Sequence, residues 1–244
     1  DFTPFGKIYL PHLEIFGLDI SITRHVVFLW IVTIVLFFVF LRISKKYKKS
    51  SIPKGIVNFF EVMVIFVRDE IAAPTIGKGY ERFLPYLLSA FFFILFSNFI
   101  GLIPFTATIT SNISITAVLA IFSFFVIQIG GIRKNGFFGY FKGLIPHGVP
   151  GFILPVMAIV ELLGLLTKPF ALAIRLFANM TAGHIVIYAL LSLIFVMKTY
   201  YISPVSVGLA LFIYFLEILV ALLQAYIFTM LSSLFIVMAV HQDH

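Results

Sequence analysis

Residues 149–198 read VPGFILPVMAIVELLGLLTKPFALAIRLFANMTAGHIVIYALLSLIFVMK, and before the closing lysine the only charges are Glu161, Lys168 and Arg175. As one helix rising about 1.5 Å per residue, the run would be roughly 75 Å long. A bilayer's hydrocarbon core is only about 30 Å thick. Ser203 to Val240 poses the same problem, at roughly 55 Å by the same rise. Either each run breaks into two spans, or both lie strongly tilted as a hairpin about Tyr200 to Pro204. Two breaks would strand Lys168 and Pro169 in a loop with almost no polar company. The tilted hairpin is therefore the expectation.

The rest of the chain fits a membrane setting. Of 244 residues, 61% are hydrophobic and 11% charged, against about 45–50% and 25% in soluble domains. That excludes an ordinary soluble fold. Phe alone supplies 31 residues, which suits a lipid-facing surface. The net charge of +7 reads as a cytoplasmic excess of Lys and Arg rather than as a nucleic-acid footprint. Cysteine is absent, which removes disulfides, thiolate zinc ligands and a thiol nucleophile. The sequence opens at Asp1 rather than methionine, which reads as loss of something upstream. No repeat of 20–50 residues is present, so the expectation is a single membrane domain over 1–244.

Its parts follow from apolar runs and flanking charges. Residues 1–21 form an outer N-terminal segment and 22–42 the first span, with its apolar run from Val26 to Leu41. Lys45, Lys46, Lys48, Lys49 and Lys54 follow at once and mark the cytoplasmic side. Residues 53–78 hold too few apolar positions to cross, and predict a cytoplasmic interfacial or re-entrant helix. Residues 84–130 hold two spans, Leu84–Phe105 and Ile113–Ile129, followed by Arg133, Lys134 and Lys142 on the same predicted side. The hairpin occupies 149–240. The expected class is an all-α polytopic membrane protein, with five spanning helices, one interfacial helix and a long, strongly tilted final pair.

Ionisable groups at membrane depth are expensive and usually functional. The candidates are Glu161, Lys168, Arg175, His184 and Glu217, with Asn179 and Gln224 beside them. Glu161, Lys168 and Arg175 recur every seven residues, a single stripe on one helix. Asn179 lies one turn beyond Arg175, and His184 points to the opposite face. Glu217 and Gln224 share a stripe on the final helix. In an antiparallel hairpin, the pairs His184–Glu217 and Arg175–Gln224 both centre on Tyr200. Two polar levels result, resembling two aqueous routes with a fixed cation between them. Against this, Lys168 can snorkel, Glu161 can serve as its partner two turns away, and His184 can be a satisfied core histidine. Arg175 is hardest to treat so, because it is always protonated and lies mid-helix. His147 reads as a loop residue. The sequons at Asn112 and Asn179 read respectively as a chance match and a site inside the membrane.

Ala173-Ile174-Arg175-Leu176-Phe177-Ala178-Asn179-Met180, followed by Ala182-Gly183-His184, resembles subunit a of the F-type ATP synthase. Phe96-Ser97-Asn98 with Gly101-Leu102-Ile103-Pro104 agrees, as do Thr167-Lys168-Pro169 and Leu223-Gln224-Ala225-Tyr226-Ile227-Phe228. The likeness runs from about Ile22 to the C-terminus. It implies five spans, a cytoplasmic interfacial helix, and two long helices nearly in the membrane plane against a rotating ring of c subunits. It further implies a b-subunit peripheral stalk, a hetero-oligomer with other synthase subunits, a lipid environment, no nucleic acid, and no metal or cofactor. The family's invariant arginine falls on Arg175, and its outer half-channel acid and imidazole fall on His184 and Glu217. In some bacterial relatives those two stand in the opposite order. Glu161 matches an inner half-channel carboxylate, and Gln224 the glutamine beside the arginine. Asn179 would give polar support, and Lys168 is a further candidate. The implied location is a bacterial inner membrane, with the mitochondrial inner membrane as the alternative.

Two other classes compete on the residues alone. A proton- or sodium-coupled secondary transporter also uses midplane charges, but such folds show inverted repeats, and none is visible here. A membrane metalloenzyme would need more ligands than His184 and Glu217. No G-x-x-x-x-G-K-[ST] run occurs, so nucleotide hydrolysis is expected of partner subunits.

Overall fold

The computed structural model of the chain describes residues 2–3, 6–7, 14–15, 18–19, 23–47, 55–103, 106, 108–143, 154–197 and 200–240. Lys48, Lys49, Lys54, His147 and most of the predicted outer segment lie outside these residues. Within that segment, β1 (Phe2–Thr3) pairs antiparallel with β2 (Gly6–Lys7), and β3 (Glu14–Ile15) with β4 (Leu18–Asp19). Each is a minimal ladder; helices make up the remaining architecture.

Helix α1 (Arg24–Tyr47) opens where the amides of Val26 and Val27 bond the Thr23 carbonyl. It runs past the predicted end at residue 42 because Lys45 and Lys46 are good helix formers and favour the negative C-terminal end of the dipole. Trp30, Phe37 and Phe38 are exposed along it, an apolar surface suited to lipid. The predicted interfacial segment comprises α2 (Ile56–Phe66), a widened π turn (Val67–Ala72) and α3 (Ala73–Ile76). Pro74 explains the widening: in a regular helix its ring would crowd the carbonyl of residue 70 and leave it unbonded. Gly77 and Gly79, both with positive φ, then turn the chain.

Helix α4 (Leu84–Leu102) carries Pro85 in its first turn, where no amide partner is lost. Helix α5 (Ile113–Asn135) closes with Arg133 and Lys134, and Gly136 at φ 72° leads into α6 (Phe137–Gly143). Helix α7 (Leu154–Met197) continues through Pro169 without interruption, and a short 3₁₀ turn (Tyr200–Ile202) precedes α8 (Ser203–Val240). Neither long run breaks in two. Five helices (α1, α4, α5, α7 and α8) are long and apolar enough to cross a membrane. The chain is an all-α polytopic membrane protein. At 44 and 38 residues, α7 and α8 measure about 66 and 57 Å, so a core of about 30 Å accepts them only obliquely.

The chain divides into two compact units, the first made of residues 1–57, 92–112 and 178–224. Its core is built from Val32, Ile94, Leu95, Ile109, Met180 and Ala221, with Phe40 meeting Phe92 edge-on at 5.0 Å. Buried polar groups knit it together. The Asn98 amide donates to the Ala221 carbonyl at 3.4 Å and accepts from Thr110 at 2.8 Å, and the Tyr214 hydroxyl donates to the Leu102 carbonyl at 3.1 Å. Such bonds hold helices together where lipid gives no hydrophobic drive between them.

The second unit comprises residues 58–91, 113–177 and 225–244. Ile71, Leu87, Phe91, Leu172, Leu176 and Ile236 fill its core. The Tyr86 hydroxyl donates to Ser123 at 2.6 Å, and Ser123 lies 3.2 Å from Ser232, a hydroxyl chain joining α4, α5 and α8. Tyr140 of α6 is buried against Gly131, where a Cβ would fall 2.5 Å from its ring. Burial pushes the Tyr140 hydroxyl's pKa up, with a hydrogen bond to Gln128 opposing it.

Candidate functional site

Antiparallel packing of α7 and α8 brings His184 and Glu217 together inside the first unit. Nδ1 of His184 lies 3.9 Å from Oε2 of Glu217. Glu217 is 5% exposed, and both its oxygens are buried without a hydrogen-bond partner among the described residues. A carboxylate so placed is satisfied only by the imidazole, by water or by a proton. Nε2 of His184 lies 2.7 Å from the Thr108 hydroxyl, which donates its proton to the Gly101 carbonyl at 3.1 Å and so can only accept from Nε2. The imidazole is thus hydrogen-bonded at Nε2 by a hydroxyl, while Nδ1 faces the acid across 3.9 Å.

Two participants here have no role in the sequence reading. Thr108 lies in the polar bend between α4 and α5, and nothing in a bend of Thr, Ser and Asn marks one hydroxyl above another. Gly183 makes room for the acid: a Cβ there would overlap Oε1 of Glu217 and fall 2.7 Å from its Cδ. It belongs to the Ala182-Gly183-His184 string, but its use becomes visible only with the opposing helix in place.

Within the second unit, Arg175 is exposed on α7, and no carboxylate lies within ion-pair distance of it among the described residues. Ala171 of the same unit is exposed too, as are Ala178 and Asn179 where α7 continues into the first unit. The helix therefore carries its permanent charge on a face of short side chains. Lys168 sits with Nζ 5.6 Å from the centroid of the Phe235 ring, within cation–π range. Glu161 is half-buried and makes no ion pair with Lys168; two helical turns, about 10 Å of rise, separate them. Gln224 is buried on α8 in the first unit.

Five apolar helices of spanning length, carrying a cation and an imidazole–carboxylate pair, define a class: multi-pass membrane proteins. The family described as ATP synthase A chain matches residues 26–237, and the chain belongs to it. It is 56% identical to ATP synthase subunit a of Chloroherpeton thalassium, over all of this chain and 74% of that protein. Against ATP synthase subunit a 2 of Chlorobaculum tepidum the identity is 49%, over 99% and 70% of the two chains. With ATP synthase subunit a of Anaeromyxobacter sp. it is 52%, over 94% and 57%.

Proposed function

We propose that this chain is the stationary, proton-translocating subunit of an F-type ATP synthase membrane sector. It offers two offset half-channels to a rotating ring of c subunits, with Arg175 between them. The observation that carries this reading is an exposed guanidinium, without an ion-pair partner among the described residues, well inside a long apolar helix. A guanidinium is always charged, and against lipid it costs several kcal/mol or more. A partner that presents a carboxylate removes that cost, and the short side chains flanking Arg175 let a partner helix approach closely.

The chemistry then follows. A ring carboxylate is neutral while it faces lipid, because a bare anion there is too costly. Next to Arg175 the anion is favoured by the opposite charge. The ring site gives its proton to an inner route beside Glu161 and receives another through His184 and Glu217. An imidazole whose ordinary pKa is near 6.5 suits such a relay. Arg175 also blocks protons from passing directly between the routes. The drive is the membrane potential, about 2.3 kcal/mol per charge per 100 mV. Asn179 and Gln224 support the arginine level, and Lys168 anchors its helix through Phe235. Nucleotide chemistry belongs to other subunits, a b-subunit stalk holds the chain against rotation, and the assembly lies in a bacterial inner membrane, with interfacial helix and basic loops on its cytoplasmic side.

Arg175→Ala in inverted vesicles tests the proposal. ATP-driven proton pumping is expected to vanish while the complex still assembles. Undiminished coupled pumping would refute it.

A further inference from the structure

At the basic end of the second unit, Lys78, Arg82, Arg133 and Lys134 converge on a cavity of about 660 Å³. Three chain segments bring them there. The turn between Gly77 and Gly79, with φ of 68° and 96°, carries Lys78. The 3₁₀ turn before α4 carries Arg82, and the last turn of α5 carries Arg133 and Lys134. None of the four is in an ion pair among the described residues. Among the described residues, then, no carboxylate of the chain is paired with this cluster.

The cavity is also apolar on one side. Phe83 and Ile129 line it, and Gly130 keeps it open toward Phe83, whose ring a Cβ would meet at 2.8 Å. From Ile129 an exposed stripe continues along α5 through Phe125, Phe122 and Val118. These positions share one helix face with Arg133. From Arg133 to Val118 the stripe runs about 22 Å, somewhat more than the half of a 30 Å core that one leaflet occupies. A ring of cations at the head of a long apolar track matches an amphiphile with an anionic head. Free phosphate would use the cations and leave the track without purpose.

We infer that this cavity binds the phosphate headgroup of an anionic phospholipid, whose acyl chain lies along the Val118–Ile129 face of α5. Basic pockets at the cytoplasmic ends of spanning helices take such headgroups, each cation near the surface adding about 1 kcal/mol, or about fivefold in affinity. The site is independent of the ion path and does not rest on the proposed function.

Native mass spectrometry of the detergent-solubilised full chain, titrated with phosphatidylglycerol or phosphatidylcholine, tests it. In the triple variant Arg82→Gln, Arg133→Gln, Lys134→Gln, phosphatidylglycerol affinity is expected to fall roughly a hundredfold. Phosphatidylcholine binding should be unchanged. Arg42→Gln, at the end of α1, should change neither. Equal phosphatidylglycerol binding by the triple variant and the parent would overturn the proposal, as would an equal loss in Arg42→Gln. Displacement of the lipid by inorganic phosphate alone would make this a free-phosphate site and overturn the lipid assignment. If the triple variant does not fold, Arg133→Gln alone carries the test: a loss of about fivefold supports the site, and no loss refutes it.

Discussion

At Gly183 the missing side chain is what gives Glu217 its place beside His184. Any Cβ there must push the carboxyl away, and forcing extra atoms into a packed site costs about 1–3 kcal/mol. Gly183→Ala is expected to cut ATP-driven pumping roughly five- to hundredfold. Glu217→Asp withdraws the carboxyl by one methylene, so adding it to Gly183→Ala should recover part of the loss. A double-mutant cycle measures this coupling, and simple addition of the two losses would mean that Gly183 does not act through Glu217. Thr108 acts differently: its hydroxyl fixes one imidazole nitrogen, which leaves the other directed at the acid.

The long hairpin is the element on which the site depends. In the first unit His184 faces Glu217, and in the second Lys168 faces Phe235, an antiparallel register within each unit. The chain contains no cysteine, so introduced pairs read this register without background. Cysteines at positions 184 and 217, and separately at 168 and 235, should crosslink under mild oxidation, while 184 paired with 221 should not. Efficient crosslinking of the third pair at the expense of the first would mean a shifted register. Outside the spans, Arg68 bonds Asp69 at 2.6 and 2.9 Å, and that hydrogen bonding holds the Asp69 carboxyl below its usual pKa. A lowered carboxylate pKa favours the fold above the ordinary value, and the benefit is lost as pH falls through the lowered one. The pair is about half exposed at the surface, so salt screens it.

For the whole molecule, the telling feature is a charged face that no carboxylate answers among the described residues. Arg175 and Ala171 are exposed on the second unit's part of α7, and Ala178 and Asn179 on the first unit's; a charge among short side chains on a helix fits a partner rather than lipid. Ala178→Trp should leave the subunit folded in detergent and abolish co-purification of the ring subunits. Retention of the ring at parental yield would place the ring contact elsewhere.

Much of this was legible beforehand because the bilayer forces it. Apolar run length fixes how many helices cross, and the cost of charge at depth singles out Glu161, Lys168, Arg175, His184 and Glu217 in a chain only 11% charged. Helical spacing even gave the His184–Glu217 level, since register in a hairpin follows from its turn. The tertiary structure alone decided what depends on neighbours distant in sequence: Gly183 as the space for Glu217, Thr108 as the hold on the imidazole, Phe235 beneath Lys168, and four cations gathered round one cavity. Period and charge are properties of a single helix, whereas close approach between helices exists only after packing.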